Sequence, residues 1–473
     1  MLDFSKYGDA SRALKFFEEI SKIPHGSGNT DKIAEYLMSF ATSRGLYARR
    51  DGANNVIIKK GATEGFEGRP TVILQGHTDM VEAKKSDKTK DMTTEGLDLY
   101  IDGDLLRADG TTLGGDDGVA VAYALALLDS TDIPHPAIEA IFTSDEEIGL
   151  LGAVALDTYD IEGRVMINID SDEEGIFTVG CAGGVRVDLN VPMRVKKTVK
   201  NATKISVSGL KGGHSGVEIH KGRENAIKIL GEVLAALSEK GSICLGYIEG
   251  GNADNAIPRS AEAAVSGYAA EAALLEGIAR KYRRNEPDIK IEAKEITEEV
   301  SLFSEEDSAR LVSLICAEPS GVIAFSKDIA GLVETSLNLG IIKSSDTGTE
   351  LAFSIRSSKG VKKEELLTRV TKIAEEHGAT HSCHGAYPAW EYRPESHLCE
   401  VMCGVYEECY GKSATVVTIH AGLECGIFCD KLDGLDCVSI GPDNYDIHTT
   451  EERLSLPSFA RVWEFIKKVL KSI

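Results

Sequence analysis

Short apolar runs alternate with helix-forming segments over the first third of the chain. "TVILQG" (71–76), "AIEAIFT" (137–143) and "RVMINID" (164–170) have few polar interruptions, the pattern of strands buried on both faces. Between them, "GVAVAYALALLDS" (118–130) strings small apolar residues with strong helix formers and predicts a well-buried helix. Strands alternating with helices predict an α/β domain, a mostly parallel sheet with helices on both faces.

From about Val185 the texture changes. "ATKISVSGL" alternates as a strand, "GRENAIKILGEVLAAL" is amphipathic with helical spacing, and "SAEAAVSGYAA" (260–270) then "EAALLEGIARKYR" repeat strand and helix. A strand at 289–296, a helix near 305–317, strands near 332–343 and 348–357 and a helix at 362–377 follow. The order is β-α-β-β-α-β with a similar second unit, an α+β insert that reads as a doubled ferredoxin-like module. From about Tyr387 the α/β texture resumes with "ATVVTIHAG", "DCVSIGP" and a final amphipathic helix, "LPSFARVWEFIKKVLKS". The expected organisation is therefore one α/β domain in two segments, 1–184 and 387–473, with a second domain, 185–386, inserted into it.

Composition narrows the function more than the fold. A chain of 473 residues is too long for one compact domain, and 42% apolar residues exclude disorder. A net charge of -23 disfavours nucleic acid and anionic membranes as partners, and suits a cytoplasmic protein that takes small ligands or metal cations. The first twenty residues lack a basic segment followed by an apolar one, and no stretch approaches a membrane span, so neither secretion nor membrane insertion is expected. The ten cysteines include no CxxC pair and read as reduced, mostly buried thiols.

In open α/β sheets, ligands gather beyond the carboxyl ends of strands. Five segments bring acids or histidines to such positions: His77 and Asp79 after "TVILQG", Asp116 and Asp117 in "LGGDDG", Glu146 and Glu147 after "IFTSD", Asp170 with Asp172 after "MINI", and His448 in "PDNYDIHTTEE". Each alone has an ordinary explanation. Ser144 three residues before Glu147 matches a capping box, "GGDDG" lacks the GK[ST] of a phosphate loop, and an Asp ending a strand is often a turn former. Together they supply oxygen and imidazole donors and no thiolate, a mix suited to two divalent ions such as Zn²⁺, Mn²⁺ or Co²⁺.

With these residues in view the sequence resembles the di-metal M20 peptidases, most closely their aminoacyl-histidine (cytosolic non-specific) dipeptidase branch. Nine motifs in order carry the resemblance: "IPHGSGN", "QGHTDMV", "GTTLGGDDG", "SDEEIGLLGA", "INIDSDEEG", "LKGGHSG", "GGNADNAIPR", "HAGLECGIF" and "HTTEER". It implies a di-zinc peptidase-like catalytic domain with a lid as the insert, a homodimer, and two divalent ions with zinc foremost. Carried over, His77 and Asp170 serve one metal, His448 and Glu147 the other, and Asp116 bridges them. Asp79 orients His77, Glu146 is the general base, and the Asp116–Asp117 peptide bond is a candidate for the cis form. On the insert, His214 stabilises the oxyanion, while Asn255, Arg356 and the bare backbone of Gly422 hold the substrate backbone and its terminal carboxylate.

The Glu146–Glu147 pair then has a chemical use. Successive side chains at a strand end diverge, so Glu147 can face a metal while its neighbour faces the reacting water. A base off the metal takes the water's proton and passes it to the leaving amine, and a raised pKa suits it to that task. His25, His220, His381, His384 and His397 read as turn or surface residues, and Cys425 with Cys429 as one face of a packed helix. The expected activity is hydrolysis of unblocked dipeptides, Xaa-His among them. Its alternatives are another M20 amide hydrolase (tripeptidase, carboxypeptidase or N-acyl amino-acid deacylase) and a non-catalytic peptide- or metal-binding protein.

Overall fold

The computed structural model describes residues 2–266, 271–327, 329 and 331–473. It divides into two compact units, one comprising Met1–Gly180, Tyr392–Thr418 and Leu423–Ile473, the other Cys181–Glu391 and Ile419–Gly422. The chain thus leaves the first unit, builds the second, and lends it four more residues on the way back.

Among the described residues the first unit is built on an eight-stranded sheet. Four neighbouring strands run parallel: Ile138–Thr143, Val72–His77, Val165–Asn168 and Asp436–Ser439. The flank Tyr47–Arg50 and Val56–Lys60 is antiparallel because a five-residue turn joins the two as a hairpin, closed by the Asp51 amide on the Asn55 carbonyl. Val72, Leu74, Ala140 and Phe142 enter a core shared with helices Ser11–Ile20, Asp31–Ser43, Gly115–Asp129, His397–Tyr410 and Leu456–Ser472. On the opposite face Gln75 meets Glu424, the first residue of helix Glu424–Lys431, so helices cover both faces. The expected helix at 118–130 is Gly115–Asp129, and Val119 to Leu128 are all at most 3% exposed. A segment packed on every side has no polar face to keep, which is why its sequence shows no amphipathic stripe.

Among the described residues the second unit carries a nine-stranded sheet. Strands Val195–Ser208, Cys244–Gly250, Ala261–Ser266 and Lys290–Phe303 lie in the spatial order fourth, first, third, second. Strands Gly183–Pro192, Val333–Ser345, Gly348–Ser357 and Thr380–Tyr387 repeat that order, and the halves join where Cys244–Gly250 pairs with Val333–Ser345. The first half is lodged within the second, after its opening strand. Helices Ala226–Ser238, Ala272–Tyr282, Glu305–Ala317 and Gly360–Glu376 pack into one apolar cluster with these strands. The strand expected at 260–270 is observed as Ala261–Ser266, and residues 267–270 lie outside the described residues. No disulfide joins any of the cysteines, and among the described residues no helix is long and apolar enough to cross a membrane.

One buried charge in this unit runs against its surroundings. Glu318 follows helix Glu305–Ala317, is 1% exposed, and neither carboxyl oxygen has a hydrogen-bond partner. Lys228 spends its ammonium on backbone carbonyls of Ile315 and Glu318, capping the helix end rather than pairing the carboxylate. Burial pushes the Glu318 carboxyl up to about 8, with Lys228 and Arg369 opposing. The folded chain then keeps a proton that the unfolded chain releases above the ordinary value near 4.5, and this group's stabilising contribution is lost as pH rises towards 8. Glu318→Gln is expected to change the apparent Tm little at pH 5 and to raise it by about 5 °C or more at pH 8, measured by differential scanning fluorimetry. Equal shifts at both pH values would contradict a buried protonated carboxyl.

Candidate active site

Four of the candidate ligand segments leave from the carboxyl ends of neighbouring strands. His77 ends Val72–His77, the Glu146–Glu147 turn follows Ile138–Thr143, Asp170 follows Val165–Asn168, and the His448 segment follows Asp436–Ser439. Asp116 comes from the start of Gly115–Asp129, where the Asp116–Asp117 peptide bond is cis. Gly76 lets that helix close on the sheet, since a Cβ there would stand 2.2 Å from the Ala120 Cβ and 2.3 Å from Asp117 Oδ2.

Asp116 divides its carboxylate between two imidazoles. Its Oδ1 lies 2.9 Å from His77 Nε2 and its Oδ2 lies 3.1 Å from His448 Nε2. Each imidazole meets a second carboxylate, His77 that of Asp170 at 3.8 Å and His448 that of Glu147 at 2.7 Å. His77 Nδ1 is 2.9 Å from the backbone carbonyl of Asp79. A carbonyl only accepts, so Nδ1 carries the proton and Nε2 presents its lone pair to the carboxylates. Lone pairs converging in this way are stable only around a positive charge. Without a cation, protons take that place. Burial opposes the charge on His77, but Asp116 and Asp79 push its pKa well above the ordinary range, and hydrogen bonds to the carboxylates of Asp116 and Glu147 push His448 up to about 10. The donor set of imidazole and carboxylate oxygen, with ligand atoms within 4.8 Å of one another, fits divalent cations.

Asp79 works differently from a simple partner of His77. Its carboxylate is 3.5 Å from Nδ1, while Oδ1 accepts the Glu146 amide at 3.0 Å, and Oδ2 accepts the Glu147 amide at 3.3 Å and the Ser27 hydroxyl at 2.8 Å. It therefore caps the turn that the capping-box pattern assigned to Ser144. Ser144 donates instead to the Ala53 carbonyl, and no helix begins until Leu151, so the expected cap is replaced. Burial pushes the Glu146 carboxyl up to about 8, with Glu424, Asp116 and Glu147 adding to the shift and His77 opposing it.

Several residues of this site lay inside the quoted motifs without being singled out. Glu452, in "HTTEER", accepts the amides of Leu113, Gly114 and Gly115 at 2.7, 3.1 and 2.8 Å and so holds the loop that presents Asp116. Asp117, which the sequence did point to beside Asp116, accepts the His77 amide at 3.2 Å. Glu424, in "HAGLECG", takes hydrogen bonds of 2.6 Å from both Gln75 and Thr143, and Gln75 in turn accepts from Asn168, a chain across three strand ends. Their signal was a buried-type position for a charged residue next to a motif, visible only once the strands are paired. Asp172 falls outside the clustered donors, its carboxyl pushed up to about 7 by burial, Asp116 and Glu452.

His214, Asn255, Arg356 and Gly422 all belong to the second unit. His214 and Asn255 line one hollow of about 610 Å³ with Glu218 and Arg259. Arg356 donates to the Tyr387 hydroxyl at 2.9 Å, and the space left by the missing side chain of Gly422 is filled by the Tyr387 ring, 2.7 Å from where a Cβ would be. That ring, rather than open room, meets the bare backbone expected to approach a carboxylate. His420, also unmarked in the sequence, lies 2.7 Å from the Ser336 hydroxyl and is pushed down to about 3 by burial and Arg356. Among the other histidines, His25 is buried and turns onto the Ile23 carbonyl, while His381 and His384 have carboxylate neighbours at 3.8 and 3.3 Å, and none of these joins a donor cluster.

An acid shared by two imidazoles at the strand ends of an α/β sheet defines a metal-dependent hydrolase class. Comparison with known proteins agrees. Residues 73–472 match the model of Peptidase family M20/M25/M40, and the chain belongs to this family, whose members are metallopeptidases that use divalent metal ions. It is 35% identical over 470 residues, 97% of its length and 96% of the relative's, to the cytosol non-specific dipeptidase of Escherichia coli. The crystal structure of aminoacylhistidine dipeptidase from Vibrio alginolyticus superposes with a TM-score of 0.90 at 35% identity, covering 98% of this chain and 96% of that one. Aminopeptidase PepT from Bacillus cereus shares the fold, with a TM-score of 0.57 at 18% identity and 98% of both chains covered.

Removing the acceptor for three loop amides should loosen the Asp116 loop. Glu452→Ala is expected to weaken divalent-metal retention roughly 10–100-fold, measured by chelator competition. Unchanged retention would show that the loop keeps its shape unaided.

Proposed function

We propose that the chain is a cytoplasmic dipeptidase that hydrolyses the peptide bond of unblocked dipeptides, Xaa-His among them, with two divalent ions, zinc foremost. The observation that carries the reading is the division of Asp116 between His77 and His448, each with a carboxylate of its own, which supports two cation positions sharing one bridge. The names and near full-length similarity of the Escherichia coli and Vibrio alginolyticus relatives support the substrate class and the cytoplasmic location.

His77 and Asp170 would hold one ion, His448 and Glu147 the other, and Asp116 both. Bound divalent ions acidify a water and polarise the scissile carbonyl. The remaining work belongs to the chain. Asp79 keeps the Nδ1 proton of His77 directed away from the ligand atom and pins the amides of Glu146 and Glu147. Glu146, half-buried and pushed up to about 8, takes the water's proton and delivers it to the leaving amine, and its pKa near working pH suits both steps. From the second unit we assign His214 to the oxyanion and Asn255 and Arg356 to the peptide backbone and terminal carboxylate, an assignment supported by the family resemblance and by the fork geometry of arginine. Gly422 stays with this group as a neighbour of Tyr387. The family resemblance also supports a homodimer, which sedimentation can test.

Glu146→Ala is expected to lower kcat by ~10²–10⁴ while metal content stays that of the parent. Activity within tenfold of the parent would remove Glu146 as the base. In a panel of dipeptides, tripeptides and N-acetyl amino acids, unblocked dipeptides should turn over fastest, and a preference for N-acetylated substrates would overturn the dipeptidase reading in favour of a deacylase.

A further inference from the structure

Two histidines with assigned chemistry meet opposite backbone groups. His77 turns Nδ1 towards a carbonyl, which leaves Nε2 as a lone pair. His214 turns Nδ1 towards two backbone amides, those of Gly216 at 3.1 Å and Val217 at 3.2 Å. An amide N–H only donates, so Nδ1 of His214 must accept. A neutral ring then carries its proton on Nε2, and an imidazolium would have to give up both bonds.

The turn that brings the amides to the ring is tightly specified. A Cβ on Gly216 would stand 2.8 Å from the His214 Cε1, 3.0 Å from its Nδ1 and 2.7 Å from the His420 carbonyl, so no larger residue lets the ring settle over the amides. Glu218 closes the turn from both ends. Its Oε2 accepts the His214 amide at 3.0 Å, and its own amide donates to the His214 carbonyl at 3.1 Å. Its Oε1 takes Lys221 and Arg223 at 2.9 Å each, and Arg223 also reaches the Gly212 carbonyl.

We infer that the turn Ser215–Glu218 fixes His214 as a permanently neutral Nε2–H donor, the Gly216 and Val217 amides setting the tautomer and Glu218 acting as the positioning residue. This rests on the reading of His214 as the oxyanion's partner and narrows it: His214 stabilises charge and transfers no proton, so both proton steps fall to Glu146. Preset donors of this kind act without reorganising, and a neutral imidazole suffices for the task. Burial and the charge of Arg356 also hold the ring below its ordinary pKa, with Glu218 opposing.

The test is long-range proton–nitrogen correlation on full-length, zinc-loaded protein labelled in histidine, with the His214 signals identified by their loss in His214→Gln. A pyridine-like Nδ1 and a protonated Nε2 are expected from pH 8 down to pH 6.5, the ordinary histidine midpoint. An Nδ1–H tautomer, or imidazolium at pH 6.5, would overturn the inference. Glu218→Ala should mix the tautomers and lower kcat about tenfold with KM within about twofold, and Glu218→Gln, which keeps the oxygen acceptor, should restore most of both. Loss of neither in Glu218→Ala would remove Glu218 as the positioning residue. His214→Ala separates the two readings: loss of ~10²–10³ in kcat supports the oxyanion role, whereas full activity in His214→Ala, with the Nε2–H signature present in the parent, would overturn that role and the narrowing built on it.

Discussion

The carboxylate of Asp79 ties the reactive parts of the first unit together. It is buried, and it accepts the amides of both Glu146 and Glu147 together with the Ser27 hydroxyl, while the carbonyl of the same residue takes the proton of His77. Burial works against its ionisation, yet His77 and the Glu146 amide hold its carboxyl below the ordinary range. Charge-assisted hydrogen bonds of this kind are stronger than neutral ones and are felt more in a dry interior. One residue thereby decides which nitrogen of His77 carries the proton and which way the adjacent glutamates face.

The opposition between neighbouring acids resolves once that frame is in place. Asp116, Asp170, Glu146 and Glu147 crowd a half-buried space in which like charges repel strongly. Burial and its acidic neighbours push Asp170 up, with His77 opposing. Two imidazoles hold Asp116 far below the ordinary range despite its burial, which marks it as the anion of the group. A site that concentrates this much negative charge around convergent lone pairs is arranged for cations, and the same field keeps Glu146 a stronger base than an exposed glutamate. In the second unit the control is again exerted by backbone: two amides on His214, and a bridge from Glu218 that closes the turn.

Much of the fold was legible because period and length speak directly. The all-apolar helix at 118–130, the short buried strands and the repeated β-α-β-β-α-β order each correspond to an observed element. Parallel pairing was legible for the centre of the sheet, whereas the antiparallel direction of the 47–60 flank depends on the short turn that joins its two strands. The capping-box spacing of Ser144 and Glu147 misled for a related reason. A cap requires a helix to start there, and the chain turns through a left-handed Asp145 (φ 52°) instead, with Asp79 supplying the acceptor from another strand.

Residue type and order along the chain determined the family, the α/β and α+β parts, and the list of imidazoles and carboxylates, because those follow from local periodicity and from motifs read within a few residues. Tertiary structure alone decided how the list is used. Which oxygen of Asp116 meets which histidine, that Asp79 caps the Glu146–Glu147 turn, that Glu452 holds the Asp116 loop across more than three hundred residues, and that His214 faces amides while His77 faces a carbonyl all depend on segments distant in sequence. Hydrogen bonds act over about 3 Å in space, and no pattern along the chain encodes that separation directly.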